Sequence, residues 1–210
     1  SISAIPAVSV SAFVATAITV VFLTYFLLAM LPVFRKKLAN LIGSRSGAQN
    51  MEEVLAEIEV QMSRYMLLNT LTSVGVGLAT WGFLTAVGMP NALLWGVVAC
   101  LLNFIPYAGA LVTTALVGAA ALVSFDDTGM VVLVAGGMVA INLLEGNLVT
   151  PHLMGKHLPL NPVVIFLSLL YWGWVWGGAG MLLAVPITVM IQVICARIER
   201  LHSIAVLLDS

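Results

Sequence analysis

The chain has 210 residues, of which 61% are hydrophobic and only 8% charged, with a formal net charge of -1 and a mean hydropathy of +1.12. Soluble domains carry about 25% charged residues, so this chain cannot cover a water-facing surface and reads as an all-α, polytopic helical membrane protein. Its long uncharged runs exclude the alternating strands of an outer-membrane barrel, and no basic patch points to nucleic acid.

In chain order, the opening Ser-Ile-Ser-Ala-Ile-Pro has no Met and no basic n-region, so it does not read as a signal peptide. The chain is expected to begin partway through a longer protein. Residues 9–31 are uncharged and long enough for one crossing, with Pro32 expected to stop the helix. Arg35, Lys36, Lys37, Arg45 and Arg64 follow, five of the eight basic residues, so residues 33–64 are expected to be cytoplasmic. Within them, Asn50 and Glu53 resemble a capping box. Met51, Val54, Leu55, Ile58, Met62 and Tyr65 recur at three-and-four spacing, the mark of an amphipathic helix.

From Tyr65 to Phe125 no side chain is charged. Residues 66–87 supply one crossing and residues 88–91 a turn. Residues 92–125 are too long for one span and cramped for two. Asn103 to Gly109 cuts this run, which predicts a hairpin of two short helices, either re-entrant or a pair of short crossings. Asp127 is placed to cap a helix over 128–144. Residues 145–162 then carry Pro151, Pro159, Pro162, Gly146 and Gly155, so a continuous helix is not expected there. Asn161 reads as an N-cap with Pro162 at the first helical position. The next helix rises to an aromatic belt of Tyr171, Trp172, Trp174 and Trp176. Residues 177–180 turn the chain into a last helix with Pro186 inside it. The domain plan is therefore a transmembrane helix over 1–32, a cytoplasmic segment over 33–64, and a transmembrane core over 65–210 with breaks at 103–109 and 145–162.

Chemistry is sparse. There is no P-loop motif and no His-Glu-x-x-His or Cys cluster, so neither an ATPase, an enzyme, a metal nor any cofactor is expected. Cys100 and Cys195 read as buried hydrophobes. Glu145 is either a functional intramembrane carboxylate or the mark of the headgroup boundary, and Asn142, Asn147 and Thr150 would line the same mouth. Two interruptions in the apolar core, at 103–109 and 145–162, are the pattern of a secondary-transporter site built from half-helix ends. Ser73 and Gly77, Thr114 and Gly118, Gly136 and Ala140, and Gly173 and Gly177 stand at helix-packing spacing. Some of these faces are expected to join copies of this chain in a homo-oligomer.

The segments NFIPYAG and EGNLVTPHLMGKHLPLNPVVIFLSLLYWGWVWGGAGMLLAVP resemble those of the autoinducer-2 exporter family of permeases, over about residues 14–207. Asn103, Pro106, Tyr107 and Gly109 match its first signature; Glu145, Asn147, Pro151, Gly155 and Pro162 match its second. Ala110 stands where many members carry proline. The resemblance implies an eight-helix protein of the bacterial inner membrane, of which this chain would lack the first two helices. It further implies ATP-independent export of small molecules such as the quorum-sensing signal autoinducer-2. Some members resemble sodium/proton antiporters instead, and a non-transporting membrane scaffold is the third reading. The residues expected on the substrate path or in coupling are Asn103, Pro106, Tyr107, Gly109, Asn142, Glu145, Asn147, Thr150, Pro151 and Asn161. The expected partners are a small-molecule or ion substrate and the lipid bilayer.

Overall fold

The computed structural model describes residues 5–42, 45–154 and 161–197, and no strand occurs among them. The chain divides into two units, Ser1–Ala56 and Glu57–Ser210. The first unit holds α1 (Ile5–Ile42) and the start of α2 (Arg45–Ala86). Pro32 lies inside α1 and does not end it, contrary to the expected stop. One proline removes one ladder hydrogen bond, whereas ending the helix in lipid would leave a whole turn of carbonyls unpaired. The large apolar side chains from Ile18 to Val33 are exposed, Val21, Tyr25 and Leu27 among them, as suits a helix solvated by lipid. Thr19 and Thr24 return their hydroxyls to the carbonyls of Ala15 and Val20 at 2.8 and 2.7 Å.

Helix α2 runs unbroken through the expected boundary at 64–65. The amphipathic segment and the crossing are one uninterrupted helix, and Asn50 lies within it, so it is not a cap. The predicted stripe is nevertheless its inner side: Met51, Val54, Leu55, Ile58 and Met62 are half-buried and Tyr65 is buried, while Glu52 and Glu53 are exposed.

The second unit is a series of antiparallel hairpins. Helix α2 ends in a Schellman turn. Gly88 takes a φ of 74°, and the Met89 amide donates to Leu84 at 2.9 Å while the Gly88 amide donates to Thr85 at 3.1 Å. Met89 is buried where the motif places its apolar residue. Helix α3 (Ala92–Leu102), α4 (Ala108–Ser124) and α5 (Thr128–Leu144) follow. With 11 residues, α3 rises about 16 Å, half of the ~30 Å hydrocarbon layer, and cannot cross it alone. Asp127 caps α5 by accepting from the Gly129 amide at 2.9 Å.

One end of these four helices is an apolar core of Leu84, Met89, Ala92, Val117, Ala121, Val134 and Met138. Glycine makes the α2–α3 crossing close. A Cβ on Gly77 would stand 2.7 Å from the Cys100 Cβ, and one on Gly96 2.8 Å from the Gly77 carbonyl oxygen. Helices α7 (Pro162–Trp176) and α8 (Gly178–Arg197) form the last hairpin, reversed at Gly177 with φ 63°. Thr188 donates to Ser168 Oγ at 2.7 Å, and Ser168 donates to the Ala184 carbonyl at 3.1 Å. Pro186 is buried inside α8.

The segment 145–162 departs from expectation. Helix α5 continues through a π-helical turn, Glu145–Val149, into α6 (Thr150–Met154), so the chain stays helical across Gly146 and Pro151. The Thr150 amide donates to the Glu145 carbonyl five residues back. That extra residue falls immediately before Pro151, which has no N–H to give, so the widened turn absorbs the proline's missing bond. Gly155, Lys156, His157 and Pro159 lie outside the described residues.

Candidate functional site

The end of the second unit opposite the apolar core is hollow and gathers polar side chains on a largely apolar surface. A cavity of about 350 Å³ is walled there by Tyr65 and Asn69 from α2, Asn103, Pro106 and Tyr107 from the α3–α4 turn, Ala110 from α4, and Asn142 from α5. Glu145, Gly146, Thr150 and Pro151 from the π-turn and α6, Ile165 from α7 and Val185 from α8 complete it. Three of the converging elements are helix ends or interruptions, where backbone groups are free to meet a solute.

The α3–α4 turn owes its shape to a short run of bonds. The Ile105 amide donates to Leu102 at 2.9 Å, Ala108 to Pro106 at 2.6 Å, and Gly109 to Ile105 at 2.9 Å. The Pro106–Ala108 bond closes a three-residue γ-turn centred on Tyr107, whose φ of 60° and ψ of -53° are rare for a side-chain-bearing residue. The turn thereby satisfies its own backbone inside an apolar bundle. Tyr107 is exposed at the mouth of the cavity. Gly109 acts through its missing side chain, since a Cβ there would collide with the Leu102 carbonyl. Only glycine lets α3 and α4 meet so closely. Asn103 Nδ2 ties the turn to α2 by donating to Ser73 Oγ at 3.3 Å.

Asn142 holds α5 against α4. Its amide donates to Thr114 Oγ1 at 2.9 Å and to the Ala110 carbonyl at 3.4 Å, and Thr114 donates to the same carbonyl at 2.8 Å. Glu145 is half-buried on the wall and accepts a 2.6 Å hydrogen bond at Oε1 from Thr150 Oγ1. The π-turn sets this pair on one side of the helix. Glu145 is the one formally charged side chain among the described lining residues.

Of the residues singled out in the sequence, Asn103, Pro106, Tyr107, Asn142, Glu145, Thr150 and Pro151 meet at the cavity. Three do not. Gly109 is packing, Asn147 is exposed and donates to the Leu143 carbonyl on its own helix at 2.9 Å, and Asn161 caps α7 by accepting from the Val163 amide at 2.9 Å. Sequence reasoning missed Tyr65 and Asn69, which are 5% and 7% exposed. Their signal was a polar residue one helical turn from a tyrosine inside an uncharged crossing. No group of His, Cys, Asp and Glu among the described residues could hold a metal ion.

The profile described as AI-2E family transporter matches residues 2–200. The chain belongs to this family of transporters. It is 39% identical over 148 residues to the "AI-2 transport protein TqsA" of Escherichia coli, covering 70% of this chain and 43% of that protein. It is 34% identical over 184 residues to a "Putative transport protein" of Haemophilus influenzae, covering 87% and 53%. A protein of the same description from Borreliella burgdorferi is 30% identical over 197 residues, covering 93% and 54%. The chain thus spans about half the length of these relatives. Membership in a transporter family accords with a multi-pass helical membrane protein: three described helices, Met51–Ala86, Thr128–Leu153 and Gly178–Ala196, are long and apolar enough to cross a bilayer.

Proposed function

We propose that the cavity is the solute site of an ATP-independent exporter of the bacterial inner membrane that works by alternating access, with autoinducer-2 as the first candidate solute. One observation carries the reading. Residues of two interruptions about 40 residues apart in sequence, Asn103, Pro106 and Tyr107 from one and Glu145, Gly146, Thr150 and Pro151 from the other, line a single hollow that gathers polar side chains on a largely apolar surface. Autoinducer-2 comes from the name of the Escherichia coli relative. The volume of about 350 Å³ is at the lower end of small-molecule pockets.

A second reading, sodium/proton antiport, is favoured by Glu145, whose carboxylate is held by Thr150 on the cavity wall. Intramembrane carboxylates are the usual carriers of coupling protons. Purified protein in proteoliposomes separates the two. Autoinducer-2 flux that saturates with concentration supports the exporter. Sodium-driven proton movement without autoinducer-2 flux supports the antiporter. Neither flux, for autoinducer-2, other small metabolites or sodium, overturns both.

A further inference from the structure

Helix α2 is apolar over its crossing, yet one of its buried faces carries four polar side chains around Val76. Tyr65, Asn69, Ser73 and Thr80 fall within an arc of about 80° on a helix of 3.6 residues per turn. All four are at least nine-tenths buried, at 5%, 7%, 0% and 0% exposed. Ser73 is satisfied by the Asn103 amide. The two ends of the row are not: the Tyr65 hydroxyl and Thr80 Oγ1 are fully shielded and have no hydrogen-bond partner.

Thr80 is the sharper case. Thr70 and Thr85, on the same helix, return their hydroxyls to the carbonyls of Met66 and Trp81 at 2.7 Å. That bond is open to any helical threonine, and Thr80 does not make it. A buried hydroxyl without a partner is destabilising, and its free donor and acceptor are open to a polar group or water that reaches it. From Tyr65 to Thr80 the helix rises about 22 Å, most of the ~30 Å hydrocarbon layer. Tyr65 and Asn69 stand in the cavity wall. Thr80 stands beyond the Ser73–Asn103 bond, toward the apolar core that begins at Leu84.

We propose that this face of α2 is one wall of the translocation route. Solute leaves the cavity past Tyr65 and Asn69, crosses the Ser73–Asn103 contact that closes the way in this structure, and meets the Thr80 hydroxyl when the contact opens. The face carries a phenol, an amide and two hydroxyls beside Val76 and no charge, so it can hydrogen-bond a polar solute or its water without supplying a counter-charge. The proposal rests on the transporter reading and adds where the path runs beyond the cavity.

The test uses the full chain in proteoliposomes with Cys100→Ala and Cys195→Ala as background. Single cysteines are introduced by Thr80→Cys and, on the outer side of the same helix, by Leu78→Cys; Leu78 is 57% exposed. The probe is a small charged methanethiosulfonate, which reacts with the thiolate and so needs water at the sulfur; Thr80→Cys should react at least about tenfold faster than Leu78→Cys. Equal rates overturn the proposal. Thr80→Val is the second arm. If the hydroxyl is only a core group, the valine variant melts higher and transports as before, which also overturns the proposal. The expected result is an unchanged or higher melting temperature with autoinducer-2 flux reduced at least about fivefold, the scale of one lost hydrogen bond. Absence of flux in the parent chain would refute the exporter reading by itself. The labelling rates would still decide whether water reaches Thr80.

Discussion

Glu145 and Thr150 show how little local chemistry the cavity contains and how closely it is held. The carboxylate accepts from the threonine hydroxyl at 2.6 Å across the π-turn, a geometry typical of a charge-assisted bond. If Glu145 carries coupling protons, Glu145→Gln keeps size and polarity but fixes the neutral state. Proton-driven flux should then fall at least about tenfold while gradient-free exchange persists. Unchanged proton-driven flux would remove Glu145 from coupling. Gly109 tests packing rather than transport. Its missing Cβ is what lets α4 start against the Leu102 carbonyl, and a backbone atom cannot rotate aside. Gly109→Ala should therefore cost about 1–3 kcal/mol of stability, read as a lower melting temperature in detergent. A melting temperature equal to that of the parent chain would show that the turn can relax.

At the scale of elements, the informative piece is the helix that runs from α5 through the π-turn to α6. Proline inside a helix is commonly a stop, yet here one additional residue per turn takes up the missing donor and the chain remains helical to Met154. The same turn brings Glu145, Gly146, Thr150 and Pro151 to the cavity together. Pro151→Ala restores an N–H and lets the helix return to regular α geometry. Stability should rise by about 1–3 kcal/mol, on the scale of the proline penalty, while the Glu145–Thr150 bond is lost and flux falls. A variant that gains stability and keeps full flux would mean the π-turn only accommodates the proline. The α3–α4 hairpin solves its own interruption differently, by a γ-turn at Tyr107 and a glycine contact. Both devices keep backbone groups paired where lipid offers no hydrogen bonds.

For the whole molecule, the described span Thr128–Leu153 has 26 residues and is about 39 Å long, more than the ~30 Å hydrocarbon layer. Its two ends should reach opposite faces of the membrane. By the positive-inside rule Arg64, next in sequence to Tyr65 of the cavity wall, is expected to put the cavity's acidic end on the cytoplasmic side. In intact cells, with Cys100→Ala and Cys195→Ala as background, a membrane-impermeant thiol reagent should therefore label Asp126→Cys and not His152→Cys. Labelling of both from outside would refute the span, and labelling of His152→Cys alone would invert the orientation.

Much of the fold was legible because the bilayer leaves few options. Low charge and long apolar runs imply helices, and Asp127, Asn161 and Gly88 mark helix ends by local chemistry that lies within a few residues. The stretches around Asn103 and Glu145 were legible as interruptions for the same reason, since polar breakers stand out against an uncharged background. What local rules misjudged was proline at positions 32 and 151, where the cost of one lost bond competes with the cost of unpairing a turn in lipid. Only the tertiary structure decided that the two stretches share one cavity, that Tyr65 and Asn69 on a distant helix complete it, and that Asn147 and Asn161 serve their own helices. These outcomes depend on how helices remote in sequence pack against one another, a many-body balance of close glycine contacts and buried polar pairs that no single stretch of sequence encodes.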